Sequence, residues 1–71
     1  MTNRKLLKEK IVGSGILMRH LAEKCGITPQ AFSTKINGRS EFSMSEAATL
    51  RDELRLTDEE FMAIFFDENV A

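Results

Sequence analysis

The stretch Leu21-Ala22-Glu23-Lys24-Cys25-Gly26-Ile27-Thr28-Pro29-Gln30-Ala31-Phe32-Ser33-Thr34-Lys35-Ile36-Asn37-Gly38-Arg39 contains the end of one helix, a turn and a complete second helix. Gly26 follows the apolar-periodic residues where a helix would close in the left-handed conformation. Thr28 can accept a hydrogen bond from an amide of the next helix's first turn, and Pro29 falls at the first helical position, where no amide hydrogen is needed. Proline also pushes the residue before it out of the helical region, as an N-cap requires. Ile27 and Phe32 are spaced for a hydrophobic staple across that cap. Asn37-Gly38 closes the segment. Ala22, small and ahead of the turn, allows two helix backbones to approach closely.

Set on a helix at about 100° per residue, Phe32 and Ile36 fall on one side with Pro29 beside them. Gln30, Ser33, Thr34 and Asn37 stand at i, i+3, i+4 and i+7, a stripe on the opposite side. All four are uncharged hydrogen-bonding residues. Lys35 flanks them and Arg39 follows the closing glycine. Gln and Asn match adenine edges, Ser and Thr suit several bases, and cations meet phosphates, so the stripe has the chemistry of a helix that enters a major groove.

Outward from this centre, helices are expected at about residues 3–12 and 17–25. In the first, Leu7 and Ile11 lie one turn apart, and Gly13-Ser14-Gly15 ends it. In the second, Leu17 and Leu21 lie one turn apart, with Met18, Ala22 and Cys25 adding apolar positions. Two capping boxes, Ser43 with Glu46 and Thr57 with Glu60, open two further helices. Ala47, Leu50 and Leu54 share a face of the fourth, and Phe61, Ile64 and Phe65 share a face of the fifth. Met62 and Phe66 fall outside that last face and are expected either beneath a neighbouring helix or in a contact between subunits.

The segment from Leu21 to Ile27, continuing through Thr28 to Arg39, resembles the helix-turn-helix of phage-type Cro and repressor proteins. The stretch Leu54-Arg55-Leu56-Thr57-Asp58-Glu59-Glu60-Phe61 is similar to the closing helices of that family. The resemblance spans about residues 4–66. It implies an all-α, compact five-helix, lambda-repressor-like domain over residues 1–71, with the helix-turn-helix at about 17–37. It further implies a recognition helix over 28–37 and operator binding, usually as a dimer. Carried over residue by residue, Gln30, Ser33 and Thr34 fall where the family reads base edges, with Thr28 and Pro29 at the head of the same helix. Asn37, Arg39 and Ser40 fall in its phosphate-contacting loop, and Arg19 and Lys35 complete the expected phosphate set. The chain departs from the family at Leu17 and Met18, neither of which hydrogen-bonds a phosphate well. Pro29 stands where a polar base-reading side chain is common, its ring suited to a thymine methyl group.

Composition agrees with such a domain. A chain of 71 residues bounds the answer to one thin core, and 42% apolar residues place it among globular chains. A single proline, and neither tryptophan nor tyrosine, fits helices better than a strand-and-turn architecture. The net charge of −1 conceals an asymmetry. Residues 1–40 carry Arg4, Lys5, Lys8, Lys10, Arg19, Lys24, Lys35 and Arg39 against Glu9 and Glu23, a net of +6. Residues 41–71 carry a net of −7. A polyanion is attracted by the first half and repelled by the second.

Other functions find less support. The lone His20 has no evident catalytic or metal-binding companions, and Cys25 reads as a small core residue. Gly13-Ser14-Gly15 lacks the lysine of a phosphate-binding loop. No enzyme, metal, cofactor or small-molecule ligand is expected. No apolar run approaches the ~20 residues of a membrane span, no secretory signal is evident, and one cysteine fits a reducing compartment, so the expectation is a cytoplasmic protein away from membranes. The expected partner is double-stranded DNA carrying an inverted-repeat operator, bound by a weak homodimer that meets through Met62 and Phe66. The rival expectation is a protein-interaction adaptor that uses its Phe-rich, acidic C-terminal end.

Overall fold

The computed structural model describes residues 2–67, which form five helices and no strand. The helices are α1 (Arg4–Ser14), α2 (Met18–Cys25), α3 (Pro29–Ile36), α4 (Met44–Leu54) and α5 (Asp58–Phe65). No helix among the described residues is long and apolar enough to cross a membrane.

Local chemistry accounts for where these helices begin. Asn3, Thr28, Ser43 and Thr57 each accept a backbone amide in the first turn of the following helix. Both expected capping boxes form completely, with Glu46 and Glu60 returning a bond to the amides of Ser43 and Thr57. Helix α2 is the exception. Its N-cap, Leu17, has the extended backbone of a cap but no side-chain acceptor.

Two sequence-based expectations need adjusting. Helix α1 runs through Gly13 and Ser14, because Gly15 (φ 72°) is the residue that turns left-handed. The Ser14 hydroxyl donates to the Ile11 carbonyl at 2.6 Å and accepts the Ile16 amide at 3.0 Å, closing the turn. Leu17 is not a core residue: it is 59% exposed, and Ile16 packs against the core instead.

The core is built from Leu7 and Ile11 of α1, Leu21 and Ala22 of α2, Phe32 and Ile36 of α3, Ala47 and Leu50 of α4, Leu56, and Ile64 and Phe65 of α5. Helix α2 lies against both α3 and α4, while α1 touches α3, α4 and α5. Phe32, Phe42 and Phe65 connect α3 to α5 through two edge-to-face contacts, with centroids 5.7 and 6.0 Å apart. Such contacts add to the area term and fix ring orientation. With its apolar side locked here, α3 must present its polar side to solvent.

Candidate nucleic-acid interface

Helix α3 is anchored at both ends. At its start, the Thr28 hydroxyl accepts the Ala31 amide at 3.1 Å. At its end, the amides of Asn37, Gly38 and Arg39 donate to the carbonyls of Ser33, Lys35 and Thr34. Gly38 has φ 82°, a left-handed conformation that selects glycine; a Cβ there would meet only the far end of the exposed Arg4 side chain, which can shift.

Thr28, Pro29, Gln30, Asn37, Arg39 and Ser40 are exposed, and Ser33 and Thr34 are half-buried at the flanks of the same face. The stripe organises itself along the helix. The Thr34 hydroxyl donates to the Gln30 carbonyl at 3.0 Å, which leaves its oxygen free to accept. The Asn37 amide group reaches the Ser33 hydroxyl at 3.4 Å.

Helix α1 contributes two residues that local sequence patterns do not assign to this site. Arg4 donates to the Asn37 carbonyl at 2.6 Å, and the Lys8 ammonium lies 3.5 Å from the Asn37 side-chain oxygen. They stand one turn apart on α1, so a shared basic face was legible; the partner 29 or more positions away was not.

Lys35 behaves differently from the role expected of it. Its ammonium donates to the Glu46 carboxylate at 2.7 Å and to the Glu41 carbonyl at 3.2 Å, and its side chain is 19% exposed. The side chain is thus turned toward the start of α4 and away from the stripe. At i+5 from Gln30 it sits at the edge of the polar face, where a buried acid can capture it.

Among the described residues, Arg4, Lys5, Lys8, Arg19, Lys24 and Arg39 have no ion-pair partner, and all six are exposed. The other two cations of the first half are held by acids of the second, Lys10 by Glu60 and Lys35 by Glu46. Neutralised patches lie between the halves, and the uncompensated positive charge is concentrated on α1, α2 and the end of α3.

His20 is exposed, with Nε2 3.3 Å from a Glu53 carboxylate oxygen. Cys25 is half-buried against the core; burial and then the nearby Glu46 charge push its thiol up, away from the reactive thiolate. No group of three His, Cys, Asp or Glu among the described residues is arranged to hold a metal ion. Met62 is 55% exposed, and Phe66, 41% exposed, packs its ring edge-on against Phe61 at 5.7 Å, so both keep part of their apolar surface open. No protein-family model, curated protein or solved structure matches the chain.

Proposed function

We infer that this chain is a helix-turn-helix, lambda-repressor-like protein that binds double-stranded DNA and regulates transcription, in the manner of a phage or prophage Cro or repressor. The observation that carries the reading is the exposed face of α3. It holds hydrogen-bonding side chains without an acid, and it adjoins cations that no acid compensates. A solvated surface helix ordinarily carries both signs of charge, whereas a groove-entering helix needs neutral readers bordered by phosphate contacts.

In this reading Thr28, Pro29, Gln30, Ser33 and Thr34 face base edges. Arg19, Asn37, Arg39 and Ser40 meet phosphates, with Arg4 and Lys8 supporting Asn37 from behind. Lys35 is left out because Glu46 holds it. Each copy presents one base-reading helix, α3, whereas the two halves of an inverted repeat lie about 34–36 Å apart on successive major grooves of one DNA face. One copy therefore reads one half-site, and an inverted repeat calls for a second copy. The exposed Met62 and Phe66 are the residues proposed to join the two, as a weak dimer.

Selection of bound fragments from random duplex DNA tests this. The unmodified chain should enrich one motif arranged as an inverted repeat. Gln30→Ala should relax choice at one position of each half-site and cost roughly 1–3 kcal/mol on the preferred site. Arg39→Ala should weaken preferred and random duplexes alike. Equal loss of sequence preference in both variants would contradict the division into readers and phosphate contacts. The adaptor reading is favoured by the exposed apolar residues at the acidic end, and it becomes the better account if no duplex is enriched at all.

A further inference from the structure

A groove of about 370 Å³ runs along the flank of the α3 stripe, lined by Lys8, Ile11, Val12, Met18, Ser33, Ile36 and Asn37. Its floor is apolar, since Ile11 and Ile36 are core residues. Its rim is also apolar where water should be: Val12 is 81% exposed and Met18 40%. A second concavity, of about 450 Å³, adjoins it along the outer face of α1 between Lys5, Lys8, Glu9, Val12 and Gly13. Lys5 and Lys8, and Arg19 beside Met18, have no acidic partner among the described residues. The surface is an apolar trough edged mainly by cations. DNA phosphates would match its charge but leave Val12 and Met18 unsatisfied.

Helix α5 offers the complement. Glu59, Met62 and Ala63 lie at i, i+3 and i+4 on α5, and all three are exposed; the partly exposed Phe66 caps the helix end and packs its ring on Phe61. Asp58 and Glu59 stand exposed at the helix start, and α5 turns its opposite face, Ile64 and Phe65, into the core. An apolar stripe headed by acids is the form of helix that a basic-edged apolar trough accepts. Helix α5 cannot fill the trough of its own molecule, because its core face already fixes it against α1. A second copy can supply it.

We propose that, away from DNA, the exposed face of α5 in one copy seats in the Val12–Met18 trough of another, head to tail. The trough includes Ser33 and Asn37, so the seated helix covers part of the α3 stripe. This last point rests on the DNA-binding reading: self-association and DNA then exclude one another, and DNA releases α5 for the two-fold contact between half-sites. Because the two faces differ, the contact is heterologous and extends into chains with concentration.

Sedimentation of the unmodified chain over rising concentration, at low and high salt, tests the proposal together with two variants at exposed positions. Val12→Glu spoils the trough and Met62→Lys spoils the α5 face; circular dichroism should show unchanged helical content in both. Each alone should weaken self-association by about tenfold or more. Mixing the two should restore a stoichiometric dimer, since each variant retains one good face. Raising the salt should weaken the association of the unmodified chain. Association lost with Met62→Lys but untouched by Val12→Glu, with no rescue on mixing, would mean a symmetric α5 dimer and overturn the proposal. A chain that stays monomeric throughout would overturn it as well. Random duplex DNA in excess should dissolve the chains. Chains that form and are rescued as described but persist with DNA bound would overturn the mutual exclusion, and chains that persist with no DNA bound would leave the head-to-tail seat standing and refute the DNA-binding reading.

Discussion

At Glu46 one carboxylate oxygen accepts the Ser43 amide at 2.8 Å and the Lys35 ammonium at 2.7 Å, in a residue only 9% exposed. It therefore caps α4 and ties α3 to α4 with the same atom. Burial pushes its pKa up, but the bond from Lys35 and the Ser43 amide outweigh that, and the carboxyl titrates below its usual value. A depressed carboxylate stabilises the fold above its unfolded pKa, and that contribution is lost as pH falls through the folded value. Glu46→Gln should cost about 2 kcal/mol near neutrality, the range for a hydrogen bond to a charged group. The difference in Tm between the two proteins should shrink as pH falls through the unfolded value of about 4.3 and vanish once it is below the lower folded one. A cost that persists undiminished in acid would show that the ion pair is not its source. The Ser43-to-Glu46 spacing announced the cap but not the burial or the lysine. Those depend on α3 and α4 meeting at their ends, which no local pattern encodes.

Caps made the elements legible. Four of the five helices start at a residue whose side chain accepts a backbone amide, and Asn3, Thr28, Ser43 and Thr57 are of the types that do so. What was less legible follows from weaker local chemistry. Gly13 and Gly15 are both capable of ending α1, and the Ser14 hydroxyl decides in favour of the second. Leu17 shares the helical spacing of Leu21, yet the spacing could not reveal that it precedes the helix and points to solvent. The α3 stripe was readable because its periodicity is local; the support that Arg4 and Lys8 give it is not. The bare cap of α2 yields a prediction. Leu17 already has φ −70° and ψ 140°, the backbone of an N-cap, so Leu17→Ser should add an acceptor without strain. The expected gain is about 1 kcal/mol, or about 4–8 °C in Tm for a domain of this size. An unchanged or lower Tm would mean that the exposed leucine contributes packing equal to a cap.

At the scale of the whole molecule, charge is divided more sharply than the core. Apolar residues from all five helices meet in one cluster, whereas six of the seven cations without an ion-pair partner among the described residues lie on α1, α2 and the loop after α3, Arg55 after α4 being the seventh. Lys10–Glu60 and Lys35–Glu46 neutralise contacts between the two halves. A polyanion attracts the basic residues of the first half and repels the acidic residues of the second. If the basic side meets DNA phosphates, the affinity for duplex DNA must depend on salt, which fluorescence anisotropy at several salt concentrations reads directly. Log affinity should fall linearly with log salt, with a slope of about −0.9 for each phosphate neutralised. Arg39→Ala should make that slope shallower by about one, and Gln30→Ala should leave it unchanged. The absence of binding to any duplex at low salt, or an affinity indifferent to salt, would contradict the account.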